Sequence, residues 1–174
     1  MSERVAHTLA PWADDESRVL ILGTMPSPKS RARGMYYGHP QNRFWRTLAA
    51  LWQEEAPAGP EAAREFALRH HIALWDVLAS CDIDGAADAS ISAPVANDIA
   101  AFLDAHPTIH TIFTTGKKAD ALYRQLVLPQ TRRTPQNLPS SSAANRGWWP
   151  DEKLAGAYAI VRAAAEKEAG DESL

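Results

Sequence analysis

The sequence contains a single cysteine and no long apolar segment, and both absences narrow what the protein can be. Cys81 alone cannot form an internal disulfide, and it cannot supply the several thiolates of a cysteine zinc site or an iron–sulfur cluster. No window approaches the roughly 20 apolar residues of a membrane helix. Residues 1–16 lack the apolar core and the cleavage site of a signal peptide. These absences predict a cytoplasmic protein that works without a metal ion or other cofactor and does not contact a membrane.

Acidic residues are scarce in two stretches that hold most of the basic ones. Residues 29–46 contain five Lys or Arg and no acid, and residues 117–146 contain six with one acid, Asp120. The two stretches together hold eleven of the 18 basic residues and one of the 21 acidic residues, although the net charge of the chain is −3. This distribution favours a local surface that faces nucleic acid. Two solvated faces whose charges cluster by chance are the alternative.

Strand and helix patterns alternate along the chain, which predicts an α/β fold. The run 19–22 is continuously apolar and ends at Gly23, as expected for a buried parallel strand. Further strands are predicted at 72–77 and 109–113, with a fourth near 131–137, and residues 80–92 are predicted as a polar loop. Helices are predicted from Asn42 as N-cap, from Pro60 to about 70–71, and over about 95–105, 117–126 and 151–167, and residues 168–174 are expected to fray.

These elements predict one domain over residues 1–174, with a core of about 18–167. Helices should cover both faces of a central, mostly parallel four-stranded sheet. Ligands of such sheets bind in the crevice beyond the carboxyl ends of the strands. The loops that should line this crevice are 24–41, 79–92, 114–116 and 138–148.

Two motifs in these loops carry a family resemblance. Gly23-Thr24-Met25-Pro26 follows the first predicted strand, and residues 36–45 read Tyr-Tyr-Gly-His-Pro-Gln-Asn-Arg-Phe-Trp. Together they resemble the first active-site region of the uracil-DNA glycosylase superfamily. The mismatch-specific uracil glycosylase branch shares His-Pro-x-Asn-Arg-Phe-Trp but has its catalytic Asn where this chain has Met25. A Gly-Ser/Thr-Met-Pro loop is typical of the hypoxanthine-DNA glycosylase (DNA-deoxyinosine glycosylase) branch.

Later segments extend the resemblance to about residues 18–149. The matching segments are 73–78, 80–81, 97–99, 115–119, 138–142 and 144–145. Two positions depart from the branch, which usually has Gly in place of Ser27 and commonly Pro in place of Ala143. The altered loops could re-aim the base pocket and leave the last loop less stiff.

The resemblance implies a monofunctional DNA repair enzyme with a uracil-DNA glycosylase-like fold. Such an enzyme hydrolyses the N-glycosidic bond of a deaminated base flipped out of double- or single-stranded DNA, here hypoxanthine from deoxyinosine, and leaves an abasic site. Release of uracil or xanthine is the alternative within the class, and Met25 weakens the uracil option. A catalytically inactive DNA-binding module of the same fold is the alternative from another class. A monomer is expected, since the enzyme must wrap one DNA site.

Asn42 is the residue that the branch implies for catalysis. Glycosidic cleavage passes through an oxocarbenium-like sugar and a departing anionic base, which calls for donors aimed at the base and for a positioned water. An Asn carboxamide has two donors and one acceptor oxygen, so Asn42 is expected to serve both purposes. A role as helix N-cap alone is the alternative.

The resemblance also implies a set of binding residues. Tyr37 lies where the family places the aromatic ring that stacks on the flipped base, whereas Tyr36 is expected to pack in the core. Asp76 could position water or cap the end of its strand, and His39 is expected to bond its own loop more than to do chemistry. The remaining expected contacts are the amides of Gly23, Thr24 and Met25 with the base edge, and Ser140, Ser141, Ser142, Arg146 and Lys117 with the DNA.

Overall fold

Seven strands form two sheets in the computed structural model, which describes residues 2–168. One sheet has the order β3-β2-β6-β7 and is parallel throughout; the other has the order β1-β4-β5 and is antiparallel. The predicted four-stranded parallel sheet is therefore confirmed. The strands are β1 (Glu3–Ala6), β2 (Val19–Gly23), β3 (Ile72–Asp76), β4 (Leu78–Asp84), β5 (Ala87–Ala96), β6 (Thr111–Thr115) and β7 (Gln136–Leu138).

Helices cover both faces of the parallel sheet. They are α1 (Pro28–Arg33), α2 (Phe44–Leu51), α3 (Pro60–Arg69), α4 (Ile99–Ala105), α5 (Lys117–Leu122), α6 (Leu128–Thr131) and α7 (Asp151–Ala165). The central strand β2 is fully buried, and its side chains alternate between two cores. Ile21 packs on the face of α2, α3 and α7, whereas Leu20 and Leu22 pack on the face of α4 and α5. This two-sided burial explains why β2 is apolar at every position.

The prediction of a polar loop over residues 80–92 was wrong, because most of these residues belong to a β-hairpin. Strands β4 and β5 join through a two-residue turn in which Gly85 adopts φ = 60°, a conformation that glycine reaches without strain. The N-terminal strand β1 pairs with β4, with Val5 opposite Cys81. Pairing with a distant segment therefore gives these polar residues backbone partners that a local pattern does not reveal.

Several predicted boundaries also move. Val95 lies in β5 rather than in a helix, and α4 begins only at Ile99, where the Asp98 side chain caps the Ala101 amide. The helix from Lys117 continues as a π-helical turn over Tyr123–Val127.

The predictions for the chain after residue 108 also differ in their bounds. The third strand is shifted to Thr111–Thr115, and the fourth occupies Gln136–Leu138, later than predicted. The last helix ends at Ala165, and residues 169–174, which were expected to fray, lie outside the described residues. No helix in residues 2–168 is long and apolar enough to cross a membrane.

Candidate active site

A cleft of about 670 Å³ opens at the carboxyl edge of the parallel sheet. The loop after β2 and the last residues of β3 and β6 line it together with the tip of the β4–β5 hairpin and a segment that we call the serine loop, residues 138–142. Ten of the residues expected at the site line this cleft: Gly23, Thr24, Met25, Tyr37, His39, Asn42, Asp76, Ser140, Ser141 and Ser142. Two do not: Lys117 is exposed at the start of α5, and Arg146 is half-exposed 3.8 Å from Asp151.

The side-chain oxygen of Asn42 is held by two hydrogen bonds. Asn42 Oδ1 accepts the Phe44 backbone N–H at 2.9 Å and the Ser141 hydroxyl at 2.8 Å. The N–H of Phe44 fixes which end of the amide is the oxygen, because an amide nitrogen could not accept it. Helix α2 therefore begins at Phe44, with Arg43 as its N-cap, rather than directly after Asn42 as predicted.

This geometry corrects the expected double role of Asn42. A carbonyl oxygen has two lone pairs, and both are used here, so Oδ1 has no capacity left for a water molecule. The amide nitrogen, in contrast, has no hydrogen-bond partner among the described residues, and Asn42 lines the cleft. Asn42 is thus a fixed donor of two N–H groups rather than a donor and an acceptor.

Arg43 ties the serine loop to α2. Its guanidinium group is fully buried and donates to the carbonyl groups of Trp149 and Ser142 and to the Asp151 carboxylate, while its backbone N–H donates to the Ser141 carbonyl. The sequence assigned Arg43 to a basic stretch facing DNA. The structure shows that it is a buried residue that positions the serine loop.

Tyr37 has one ring face covered and its hydroxyl anchored. Its ring stacks on Phe44 with the centroids 3.8 Å apart and the planes 10° apart. Its hydroxyl forms a 3.0 Å hydrogen bond with that of Thr115, and burial, followed by the charge of Asp76, holds the Tyr37 pKa well above its ordinary value. The backbone adopts φ = 53°, which is uncommon for a bulky residue and is held here by these contacts. Tyr37 lines the cleft, and Phe44 covers one of its two ring faces.

The floor of the cleft contains a buried carboxylate paired with a histidine. Asp76 Oδ2 accepts His7 Nε2–H at 2.8 Å, and the two side chains are only 6% and 3% exposed. His7 Nδ1 accepts the Leu9 N–H, which assigns the ring proton of a neutral His7 to Nε2. A Cβ atom on Gly23 would lie 2.6 Å from Asp76 Oδ1, so the close approach of this carboxylate to β2 requires glycine.

The β4–β5 hairpin brings a second carboxylate to the cleft. Asp88 Oδ2 accepts the Thr24 hydroxyl at 3.4 Å. Desolvation raises the pKa of Asp88; the Thr24 hydrogen bond and the charge of Lys118 partly offset this effect. Asp88 is exposed at the hairpin and is one of the residues that line the cleft.

Two expectations about neighbouring residues are met. Tyr36 is buried and its hydroxyl donates to the Ala10 carbonyl, as expected for a packing residue. His39 Nδ1 accepts the Gln41 N–H within its own loop. Among the described residues, no group of three His, Cys, Asp or Glu side chains is placed to hold a metal ion.

Sequence reasoning missed Asp88 and Thr115 as cleft residues and His7 as the partner of Asp76. Thr115 lies in a loop that was expected to matter, and the position of Gly85 between two short segments was a signal for the hairpin that carries Asp88. For His7 no local signal exists, since the residue reaches Asp76 from 69 positions away.

Comparison with known proteins identifies the class of this fold and site. Residues 10–162 match the model of the uracil DNA glycosylase superfamily. A hypoxanthine DNA glycosylase of Methanosarcina barkeri (strain Fusaro / DSM 804) is 33% identical over 153 residues, which cover 87% of this chain and 96% of the relative. A hypoxanthine DNA glycosylase of Methanosarcina acetivorans is 34% identical over 134 residues, which cover 76% and 84%.

The solved structures agree with this class. The solution NMR structure of a protein described as a candidate uracil DNA glycosylase from Methanosarcina acetivorans superposes with a TM-score of 0.75 at 28% identity and covers 90% of this chain and 98% of the other. The chain belongs to the uracil DNA glycosylase superfamily and is a DNA glycosylase of that family.

Proposed function

We propose that this chain releases hypoxanthine from deoxyinosine in DNA and leaves an abasic site. The observation that carries the proposal is the held amide of Asn42, whose oxygen is engaged by Phe44 and Ser141 and whose two N–H groups remain for a ligand in the cleft. Donors fixed where negative charge develops on a departing base lower the barrier without reorganising during the reaction. Asn42 is the proposed catalytic residue.

The remaining cleft residues support recognition of a deaminated purine. A flipped base can stack on the ring face of Tyr37 that Phe44 does not cover, and Asp76 Oδ1, which has no hydrogen-bond partner among the described residues, can accept an N–H from the base edge. Hypoxanthine carries a proton on N1, whereas adenine has a lone pair there that a carboxylate would repel. The backbone amides of Gly23, Thr24 and Met25 are proposed to donate to the acceptor atoms of the same edge.

The DNA backbone is proposed to lie across the mouth of the cleft. Small hydroxyls of the serine loop allow close approach to phosphates, and Arg146 and Lys117 supply positive charge outside the cleft. We further propose that the chain acts in the cytoplasm as one domain and as a monomer, since one cleft serves one flipped nucleotide. The two named relatives, both hypoxanthine DNA glycosylases, support the choice of base.

The test is a cleavage assay on labelled duplexes that carry one deoxyinosine, deoxyuridine or deoxyxanthosine, with alkali to break abasic sites. Alkali-sensitive breaks at inosine that disappear in Asn42→Ala are expected. Breaks at uracil or xanthine alone would agree with the family but would refute hypoxanthine as the released base. DNA binding without any breaks would instead support the inactive module.

A further inference from the structure

The attacking water needs an acceptor that Asn42 does not provide. Hydrolysis joins a water oxygen to C1′ of the sugar, and the proton that this water loses must be taken up. Both lone pairs of Asn42 Oδ1 are occupied by protein donors. Met25, in the loop after β2, offers only a weakly accepting thioether. The acceptor must therefore come from another part of the cleft.

Two carboxylates line the cleft among the described residues, and they lie at different depths. Asp76 is buried at the floor beside Gly23, with one oxygen bonded to His7. Asp88 comes from the exposed hairpin, and among the described residues its side chain bonds to the Thr24 hydroxyl. A flipped nucleotide enters base first while its sugar stays attached to the DNA outside, so C1′ lies nearer the mouth than the base does.

We propose that Asp88 holds the attacking water and takes its proton, an inference that rests on the proposed base-releasing function of this cleft. As the water oxygen bonds to C1′, the bond from C1′ to the base breaks and its electron pair leaves with the base. One water proton passes to the Asp88 carboxylate and then to solvent. The base anion takes up a proton from solvent, so the products are the abasic sugar and the neutral base.

The surroundings of Asp88 suit this role. Desolvation raises its pKa above the ordinary value of an aspartate, which makes the carboxylate a stronger proton acceptor. The charged groups that act on it are Lys118 on α5, which lowers the pKa, and Asp76 on β3, which raises it. The Thr24 hydroxyl keeps the carboxyl group over the cleft and also lowers the pKa.

The experiment measures single-turnover release across a pH series for wild type, Asp88→Asn and Asp88→Glu. Asp84→Asn is the matched control, since Asp84 is exposed on the same hairpin and does not line the cleft. The wild-type rate should fall at acidic pH, and Asp88→Asn should lose this fall as well as about 100-fold in rate at neutral pH. Asp88→Glu should recover part of the rate, and the control should stay close to wild type.

A second variant moves the pH profile in a direction that a purely structural role would not produce. Thr24→Val removes a hydrogen bond that lowers the Asp88 pKa, so the acidic fall in rate should shift to higher pH. Thermal unfolding and DNA binding are measured for each variant to check that the fold and the complex are intact.

Two results would overturn the inference. One is an Asp88→Asn protein with wild-type rate and pH profile, and the other is loss of the acidic fall in Asp76→Asn instead. All variants are assayed on the base that the wild type releases. A preference for uracil would therefore refute the proposed substrate. The comparison of the wild type with the Asp88 variants would still test the role of Asp88.

Discussion

The two walls of the cleft are built in different ways. On one wall, Asn42 and the serine loop bond to each other, and the buried Arg43 bonds to the carbonyl groups behind them. On the other wall, strand β5 of the β4–β5 hairpin is mostly exposed, and its Asp88 side chain accepts one long hydrogen bond from the Thr24 hydroxyl.

This difference corresponds to two different requirements of the reaction. Donors that stabilise a departing anion are effective only when they are fixed before the reaction begins. A wall of backbone and side-chain hydrogen bonds around a buried guanidinium provides this fixation. The second requirement is access for a nucleotide, and the hairpin residues Gly85, Ala86 and Asp88 that line the cleft are exposed. The first wall should therefore be sensitive to single substitutions, and positions outside both walls should not.

The largest effect is expected at Asn42. Asn42→Asp retains an oxygen for the Phe44 N–H and the Ser141 hydroxyl but has no N–H to donate. Both Asn42→Asp and Asn42→Ala should therefore reduce the single-turnover rate by about 10³-fold. Retained activity in Asn42→Asp would mean that Asn42 acts as an acceptor, against the geometry of its oxygen.

Arg43 should be the next most sensitive position. Its substitution should lower the stability of the folded protein. Arg43→Met leaves the buried carbonyl groups of Trp149 and Ser142 without their donor and should lower the free energy of unfolding by about 3 kcal/mol. Arg46→Met is the matched control, because Arg46 also contacts Asp151 but is 53% exposed, and it should cost less than about 0.5 kcal/mol. Urea unfolding of the two variants measures the difference, and equal losses would refute the role of burial.

Tyr37 should show a smaller effect that separates its ring from its hydroxyl. Tyr37→Ala removes the stacking face and should lower kcat/KM by about 10-fold to 100-fold, since base–aromatic stacking is worth roughly 1 to 3 kcal/mol. Tyr37→Phe keeps the ring and loses the bond to Thr115, so most of the activity should remain. If the two variants lose the same fraction of kcat/KM, the Tyr37 hydroxyl rather than its ring contributes to activity.

The smallest effect is expected outside both walls. Lys117→Ala should weaken DNA binding for all sequences alike and reduce the slope of log affinity against log salt by about one. Lys167→Ala is the control and should leave the slope unchanged, because Lys167 lies beyond the C-terminal end of α7 and does not line the cleft. Binding titrations at several salt concentrations measure the slopes of both variants. An unchanged slope for Lys117→Ala would mean that Lys117 does not contact the DNA.

Local patterns predicted the parallel sheet better than the antiparallel one. The apolar run of β2 is distinctive because both of its faces are buried, and the same holds for the buried positions of β3. Strand β5 is mostly exposed, so its composition is that of a loop, and β1 is only four residues long. These strands depend on pairing between distant segments, which no local window contains.

The sequence by itself determined the central strand, the loop that follows it and the presence of Asn42, Tyr37 and the serines at one edge of the sheet. The tertiary structure alone decided which polar atoms remain free there. Ser141 occupies the oxygen of Asn42 from 99 positions away, and His7 holds Asp76 from 69 positions away. A local pattern shows which groups a residue carries, but hydrogen-bond partners are assigned by contacts that form only when the chain folds.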